Sequence, residues 1–255
     1  MTEFNLYDVV AAVASAHPNR EALVFGSRRL TAGAVLRRPN QFAHLLLGHG
    51  LAVTSERDQL DPHESGQPHV AIYSRNCQEH IEAMVGCFGA RAVPLNVNYR
   101  YRAGEVCYLF DDSSVSAVVF ASEFAPVMAD VMQQMATAPT LLVQIPDSGH
   151  ALLAGARWFD DAIAAYPDSI PDVARTPDDL YGLYTGGTTG IPKLVLWRQA
   201  DAFPPLFGGR RPDQCEWESI DEIVAASVHR PSKGSLRSAR PVRTYGGRSH
   251  SSSQH

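Results

Sequence analysis

One stretch of nine residues carries the densest chemistry in the chain: Thr185-Gly186-Gly187-Thr188-Thr189-Gly190-Ile191-Pro192-Lys193. Its three glycines let the backbone come close to an anion and adopt φ > 0 where a turn needs it. Successive N–H groups in such a turn form an anion-binding nest. Three threonine hydroxyls add neutral donors, and Lys193 adds a mobile positive charge. Pro192 restricts Ile191 to extended conformations and stiffens the exit. Together these groups suit a polyphosphate. The loop is not a Walker A motif, because Gly190 is followed by Ile-Pro-Lys and then Leu194 rather than by Lys-Ser/Thr. A plain hairpin turn draws on the same residue types, but it does not require nine of them in this order.

The loop sits between two apolar runs, Leu180 to Tyr184 and Leu194 to Trp197, which read as strands. Before it, the apolar residues Leu6, Val9, Val10 and Val13 recur at helical spacing until His17-Pro18. Ala22–Phe25 and Arg29–Thr31 then flank Gly26-Ser27 as a hairpin. Residues 32 to 48 read as a helix that Pro39 should break or kink. Residues 50 to 68 read as a polar loop.

From His69 the pattern alternates. His69–Tyr73 is a buried strand, and Asn76 with Glu79 signals the cap of a helix reaching about Gly89. Ala92–Leu95 is a strand that Pro94 should keep short or at an edge. A helix near 103–111, a strand at Val115–Ala121, a helix at 123–135 and a strand at Leu141–Ile145 follow. The implied class is α/β, with a mostly parallel sheet and helices on both faces. An amphipathic stretch, Trp158 to Ala165, lies in a looser region; beyond Trp197 only Ile220–Ala226 is persuasively helical.

The composition, 45% hydrophobic and 19% charged over 255 residues, is that of a globular chain. The formal charge of −5 hides an asymmetry: residues 1–228 hold 16 basic and 27 acidic side chains, whereas 229–255 hold six basic and none acidic. An acidic body argues against nucleic-acid binding. No run approaches the roughly 18 apolar residues of a membrane span, and the start lacks the basic region of a secretory signal. Cys77, Cys87, Cys107 and Cys215 form no CxxC pair, which fits reduced thiols and a cytoplasmic location. The ten histidines show no metal-binding spacing, and Cys77 and Cys87 read as small buried hydrophobes. Tyr99-Arg100-Tyr101-Arg102 could stack on a base or simply end a strand with snorkelling side chains. Glu218, Asp221 and Glu222 read as a solvated helix face. The tail from 229 is rich in Ser and Arg, cannot bury enough surface to fold, and is expected to be disordered; the change in composition near Val228 is also what a shifted reading frame would produce.

The string Tyr184 to Lys193 (YTGGTTGIPK) resembles the phosphate-binding loop of the adenylate-forming superfamily, which includes acyl-CoA synthetases, luciferases and peptide-synthetase adenylation domains. Flanking strings narrow the resemblance to bacterial fatty-acyl-CoA ligases: REALVFGSRRLT at 20–31, VAIYSRNC at 70–77, RAVPLNVNYRY at 91–101, VVFASEFAP at 118–126 and Trp197-Arg198-Gln199. The resemblance implies a fold like the N-terminal subdomains of those enzymes, over about residues 1–228. It also implies ATP with Mg2+ as cofactor, coenzyme A as co-substrate and a fatty acid as substrate. The acid would attack the α-phosphate to give an acyl-adenylate and pyrophosphate, and coenzyme A would then displace AMP. Thr185, Gly186, Gly187, Thr188, Thr189, Gly190 and Lys193 would stabilise the charge on the departing pyrophosphate.

Two departures from that pattern stand out. The family usually has glycine after the lysine, and here it is Leu194; the leucine costs about 1–2 kcal/mol if the position needs φ > 0, and nothing if it opens the next strand. The acyl-pocket segment, the Thr-Glu pair near Mg2+, the ribose-binding Asp and the lysine-bearing C-terminal domain of the family are not found after Trp197, so no catalytic residue or metal ligand is assigned. Three readings stand: a ligase portion with incomplete chemistry, a non-catalytic protein that keeps the fold for nucleotide or partner binding, or a degenerate product with no stable fold. An open sheet edge would need cover by self-association or by a separate C-terminal partner.

Overall fold

The computed structural model describes residues 3–147, 149–185 and 191–228. Its centre is a seven-stranded sheet. The strands are β3 (His69–Tyr73), β4 (Val93–Asn96), β5 (Ala117–Ala121), β6 (Leu141–Ile145), β7 (Arg157–Trp158), β8 (Leu180–Thr185) and β9 (Lys193–Arg198). Their order is β7-β6-β5-β3-β4-β8-β9, parallel throughout except for β9 against β8. A small hairpin, β1 (Glu21–Phe25) with β2 (Arg28–Thr31), stands apart and turns at Gly26, whose φ of 59° needs glycine.

The strands show why both faces are covered. Val70 and Ile72 of β3 and Ala117 and Val119 of β5 face one buried cluster, with α2 (Ala32–Gly48), α3 (Gln78–Gly89) and α6 (Phe159–Ala164). Ala71 and Tyr73, with Val118 and Phe120, face the other, with α4 (Ala103–Asp112) and α5 (Ala125–Gln134). Alternate side chains of a strand point to opposite faces, so runs apolar at every position give a sheet buried twice. A third cluster joins α1 (Leu6–Ala16) to α3, α7 (Gln199–Leu206) and Trp217, with α8 (Ile220–Ser227) packed against it. No helix among the described residues is long and apolar enough to cross a membrane.

Several elements differ from the sequence reading. α2 runs through Pro39 as one helix; its buried residues Leu36, Asn40, Phe42, Ala43, Leu45 and Leu46 outweigh the ~3 kcal/mol that an interior proline costs. α3 is capped by Cys77 rather than Asn76, with no side-chain cap bond. α7 was not expected, because Pro204 and Pro205 in its last turn mask the periodicity. Glu222 is not merely solvated: it accepts from Arg211 Nη1 at 2.6 Å and from the Glu218 N–H at 2.9 Å.

β4 is short, as Pro94 requires, but it lies inside the sheet. The Val93 and Val97 N–H groups donate to Pro68 and Ile72 on the β3 side, so the alternation of the strand turns the donor-less nitrogen of Pro94 towards β8. β4 and β8 accordingly share a single pair, Leu95↔Gly182. Gly182 fits there because a Cβ would lie 2.2 Å from Leu95 Cδ2.

Candidate functional site

The hairpin β8–β9 carries the glycine-threonine loop. Its ladder runs from Leu180↔Arg198 at the foot to Thr185↔Lys193 at the tip. Thr185 and Lys193 are both exposed there, and the Thr185 hydroxyl donates to the Lys193 carbonyl at 3.4 Å. Gly186, Gly187, Thr188, Thr189 and Gly190 lie outside the described residues, as does the tail from 229. Leu194 sits in β9 opposite Tyr184, without a positive φ, and its side chain packs on the second core cluster. It opens the strand at no backbone cost, the second of the two outcomes open at that position.

Helix α4 braces the tip. The Tyr184 hydroxyl donates to Asp112 Oδ2 at 2.8 Å, and the Tyr108 hydroxyl donates to the Pro192 carbonyl at 3.2 Å. Burial, reinforced by Asp112, pushes the Tyr184 phenol above its usual range and keeps it protonated as a donor. Beside the tip lies an apolar cleft of about 350 Å3 lined in part by Tyr101, Tyr108, Leu109, Ile191 and Pro192. Ile191 is 67% exposed at its mouth.

The foot of the hairpin holds polar groups that the sequence reading passed over. Asp179 precedes β8 and Gln199 follows β9, and the Gln199 N–H closes the ladder on the Asp179 carbonyl at 2.7 Å. Asp179 Oδ2 accepts from Asn5 Nδ2 at 3.0 Å and from the Thr176 N–H at 3.1 Å, while Oδ1 accepts from Arg91 Nε at 2.9 Å. Gln199 Oε1 accepts from the Leu6 N–H at 2.8 Å, satisfying one of the free donors at the start of α1. Arg198 pairs with Glu3 at 2.6 Å and with Asp178 at 2.5 Å. Arg91 has φ of 57° and also grips Glu56 at 2.7 Å. The partners supplied by Glu3, Asn5 and Leu6, 174 to 195 positions away, leave no local pattern to read.

The Tyr99 cluster is satisfied internally: the Arg75 guanidinium lies 4.6 Å and that of Arg100 5.4 Å from the Tyr99 ring, and Arg75 pairs with Glu123 at 2.9 Å. Cys87 is fully buried, and burial raises its thiol; Cys77 is half-buried with its thiol pushed up to about 11.

A model of the family described as AMP-binding enzyme matches residues 10–217, from within α1 through the hairpin and α7. The chain belongs to the AMP-binding enzyme family. Among characterised proteins, this AMP-binding chain is 43% identical over 231 residues to the medium-chain acyl-CoA ligase Mig of Mycobacterium avium, covering 90% of this chain and 42% of that one. It is 33% identical over 244 residues to the 3-oxocholest-4-en-26-oate–CoA ligase of Rhodococcus rhodochrous, covering 95% and 41%. The chain thus spans about two fifths of the length of these relatives. In fold it is similar to an anthranilate CoA ligase, AuaEII, solved with anthranoyl-AMP (TM-score 0.67, 20% identity, 78% of this chain and 35% of that one). It is likewise similar to the inhibitor-bound N-terminal domain of FACL13 from Mycobacterium tuberculosis (TM-score 0.62, 24% identity, 78% and 45%).

Proposed function

We propose that this chain is the phosphate-loop portion of an ATP-dependent fatty-acid–CoA ligase, in which Thr185, Gly186, Gly187, Thr188, Thr189, Gly190 and Lys193 hold the β- and γ-phosphates of ATP. The observation that carries this reading is the hairpin tip: Thr185 and Lys193 stand as an exposed pair at the two ends of the glycine-threonine loop. In the complete reaction a carboxylate attacks the α-phosphate and pyrophosphate leaves. The chain's contribution is electrostatic: N–H donors, threonine hydroxyls and the Lys193 ammonium meet the charge that develops on the leaving group. Mg2+ would travel on the nucleotide's own phosphates, for it keeps several waters and few protein ligands; no carboxylate among the described residues is assigned to it.

The acid is a fatty acid or a similarly apolar carboxylate, in line with the medium-chain and sterol-derived acids in the names of the relatives, and the thiol acceptor is coenzyme A. The reaction belongs in the cytoplasm, where free cysteines such as Cys215 stay reduced. Thermal unfolding with and without Mg2+-ATP tests the reading. At a hundredfold excess over Kd, binding adds about 2.7 kcal/mol, which raises the midpoint by roughly 5–10 °C for a chain of this size. An unmoved midpoint overturns nucleotide binding and leaves a non-catalytic relative that keeps the fold.

A further inference from the structure

We infer that the amino-terminal segment orients the loop-bearing hairpin, with Asn5 and Gln199 as the positioning residues; the inference deepens the phosphate-loop reading and rests on it for its consequence in ATP binding.

The sheet itself holds the hairpin weakly. Pro94 turns its donor-less nitrogen towards β8, and the two strands share one pair, Leu95↔Gly182. On its other side β9 is the last strand of the sheet. The hairpin is held from two further places, the α4 contacts at its tip and a denser set of bonds at its foot. Asp179 and Gln199, the residues flanking the hairpin, are both buried, at 2% and 0% exposure. Each is held by a different atom of the same short segment: Asn5 Nδ2 on the carboxylate of Asp179, and the Leu6 N–H on the amide oxygen of Gln199. Glu3 adds a charged contact to Arg198. One segment thus grips both strands of the hairpin from outside the sheet.

Geometry makes that grip matter at the tip. The ladder is six pairs long, about 20 Å at ~3.3 Å per residue. A tilt of about 5° at the foot moves the tip by roughly 1.7 Å, and displacements near 1 Å are enough to cost a site on the order of 10²-fold.

The test uses the full chain with Asn5→Ser and Gln199→Met. Asn5 also caps α1 through Oδ1, which accepts from the Tyr7 N–H; serine is a good cap at that position, removes the donor to Asp179 and adds no charge beside it. Methionine keeps the length of Gln199 and removes the acceptor for Leu6. Amide exchange without nucleotide is the first readout. Protection in residues 180–198 should fall about tenfold or more while β3, β5 and β6 change by less than about twofold, the signature of local rather than global opening. Calorimetric titration with Mg2+-ATP is the second, with affinity about tenfold weaker in both variants, or about 1.4 kcal/mol. Unchanged protection in 180–198, or equal loss across the whole sheet, overturns the positioning role. A wild-type chain that binds no ATP overturns the phosphate-loop reading instead, and exchange still decides the grip on the hairpin.

Discussion

Thr185 and Lys193 form the terminal antiparallel pair of the β8–β9 ladder. The two ends of the glycine-threonine loop are thereby fixed side by side, and a hydroxyl and an ammonium are offered at one mouth. Neither side chain is buried, so neither is needed to hold the fold.

Replacing Lys193 by alanine should therefore separate binding from stability. The expected unfolding midpoint without ligand stays within about 0.5 kcal/mol of the wild type, as for most surface changes, while the upward shift with Mg2+-ATP disappears. An ATP-induced shift of wild-type size in the variant would remove Lys193 from the site.

Leu194 replaces the glycine that the family usually carries after the lysine, and here it is a packed strand residue. Leu194→Gly should destabilise the chain by about 1–3 kcal/mol, combining lost burial with the entropy of a glycine in a strand. Gly182→Ala should cost a similar amount, since its Cβ would meet Leu95 at 2.2 Å. Urea unfolding at constant slope measures both, and a stabilised Leu194→Gly chain would contradict the strand assignment.

Burial holds His69 and His80 below the usual imidazole range. A base whose folded pKa is depressed binds more protons when unfolded, so stability rises with pH. The contribution is complete above the unfolded value near 6.5 and is lost as pH falls below it, by at most about 1.4 kcal/mol per pH unit for each ring. Urea midpoints should fall between pH 7.5 and 5.5. His69→Leu gives up the bond from Nδ1 to the Ser113 carbonyl, 2.6 Å long, and is less stable at every pH, yet its pH slope should be shallower.

The four thiols should label in a defined order. Cys215 is exposed, Cys77 and Cys107 are half-buried, and Cys87 is inaccessible. With a disulfide reagent at pH 8, Cys215 should react first and Cys87 only at the rate of unfolding. Mass mapping that finds Cys87 modified early would place α3 differently.

The sheet was legible because β5 is an unbroken apolar run and β3 and β6 each hold a single polar residue, His69 and Gln144, and the tip of the hairpin because its residue types are rare in that order. What escaped was set by contacts rather than by local pattern. α2 passes through Pro39 because its buried face outweighs one proline. β4 takes an interior place because Pro94 needs only one blank rung, and the sheet leaves it on the β8 side. The hairpin foot escaped for the same reason: nothing near Asn5 announces a bond to Asp179.

The seat of the amino terminus also has a consequence for how the chain is made. The Leu6 N–H finds its acceptor on a residue 193 positions later. At about 5–20 residues per second of synthesis, the Leu6 N–H waits on the order of 10–40 s before Gln199 leaves the ribosome, although α2 and α3 can cover the apolar face of α1 sooner. Closure of such a distant contact is slow to nucleate. Until then that donor is left to water, and the seat of α1 on the hairpin is among the last contacts of the chain to close.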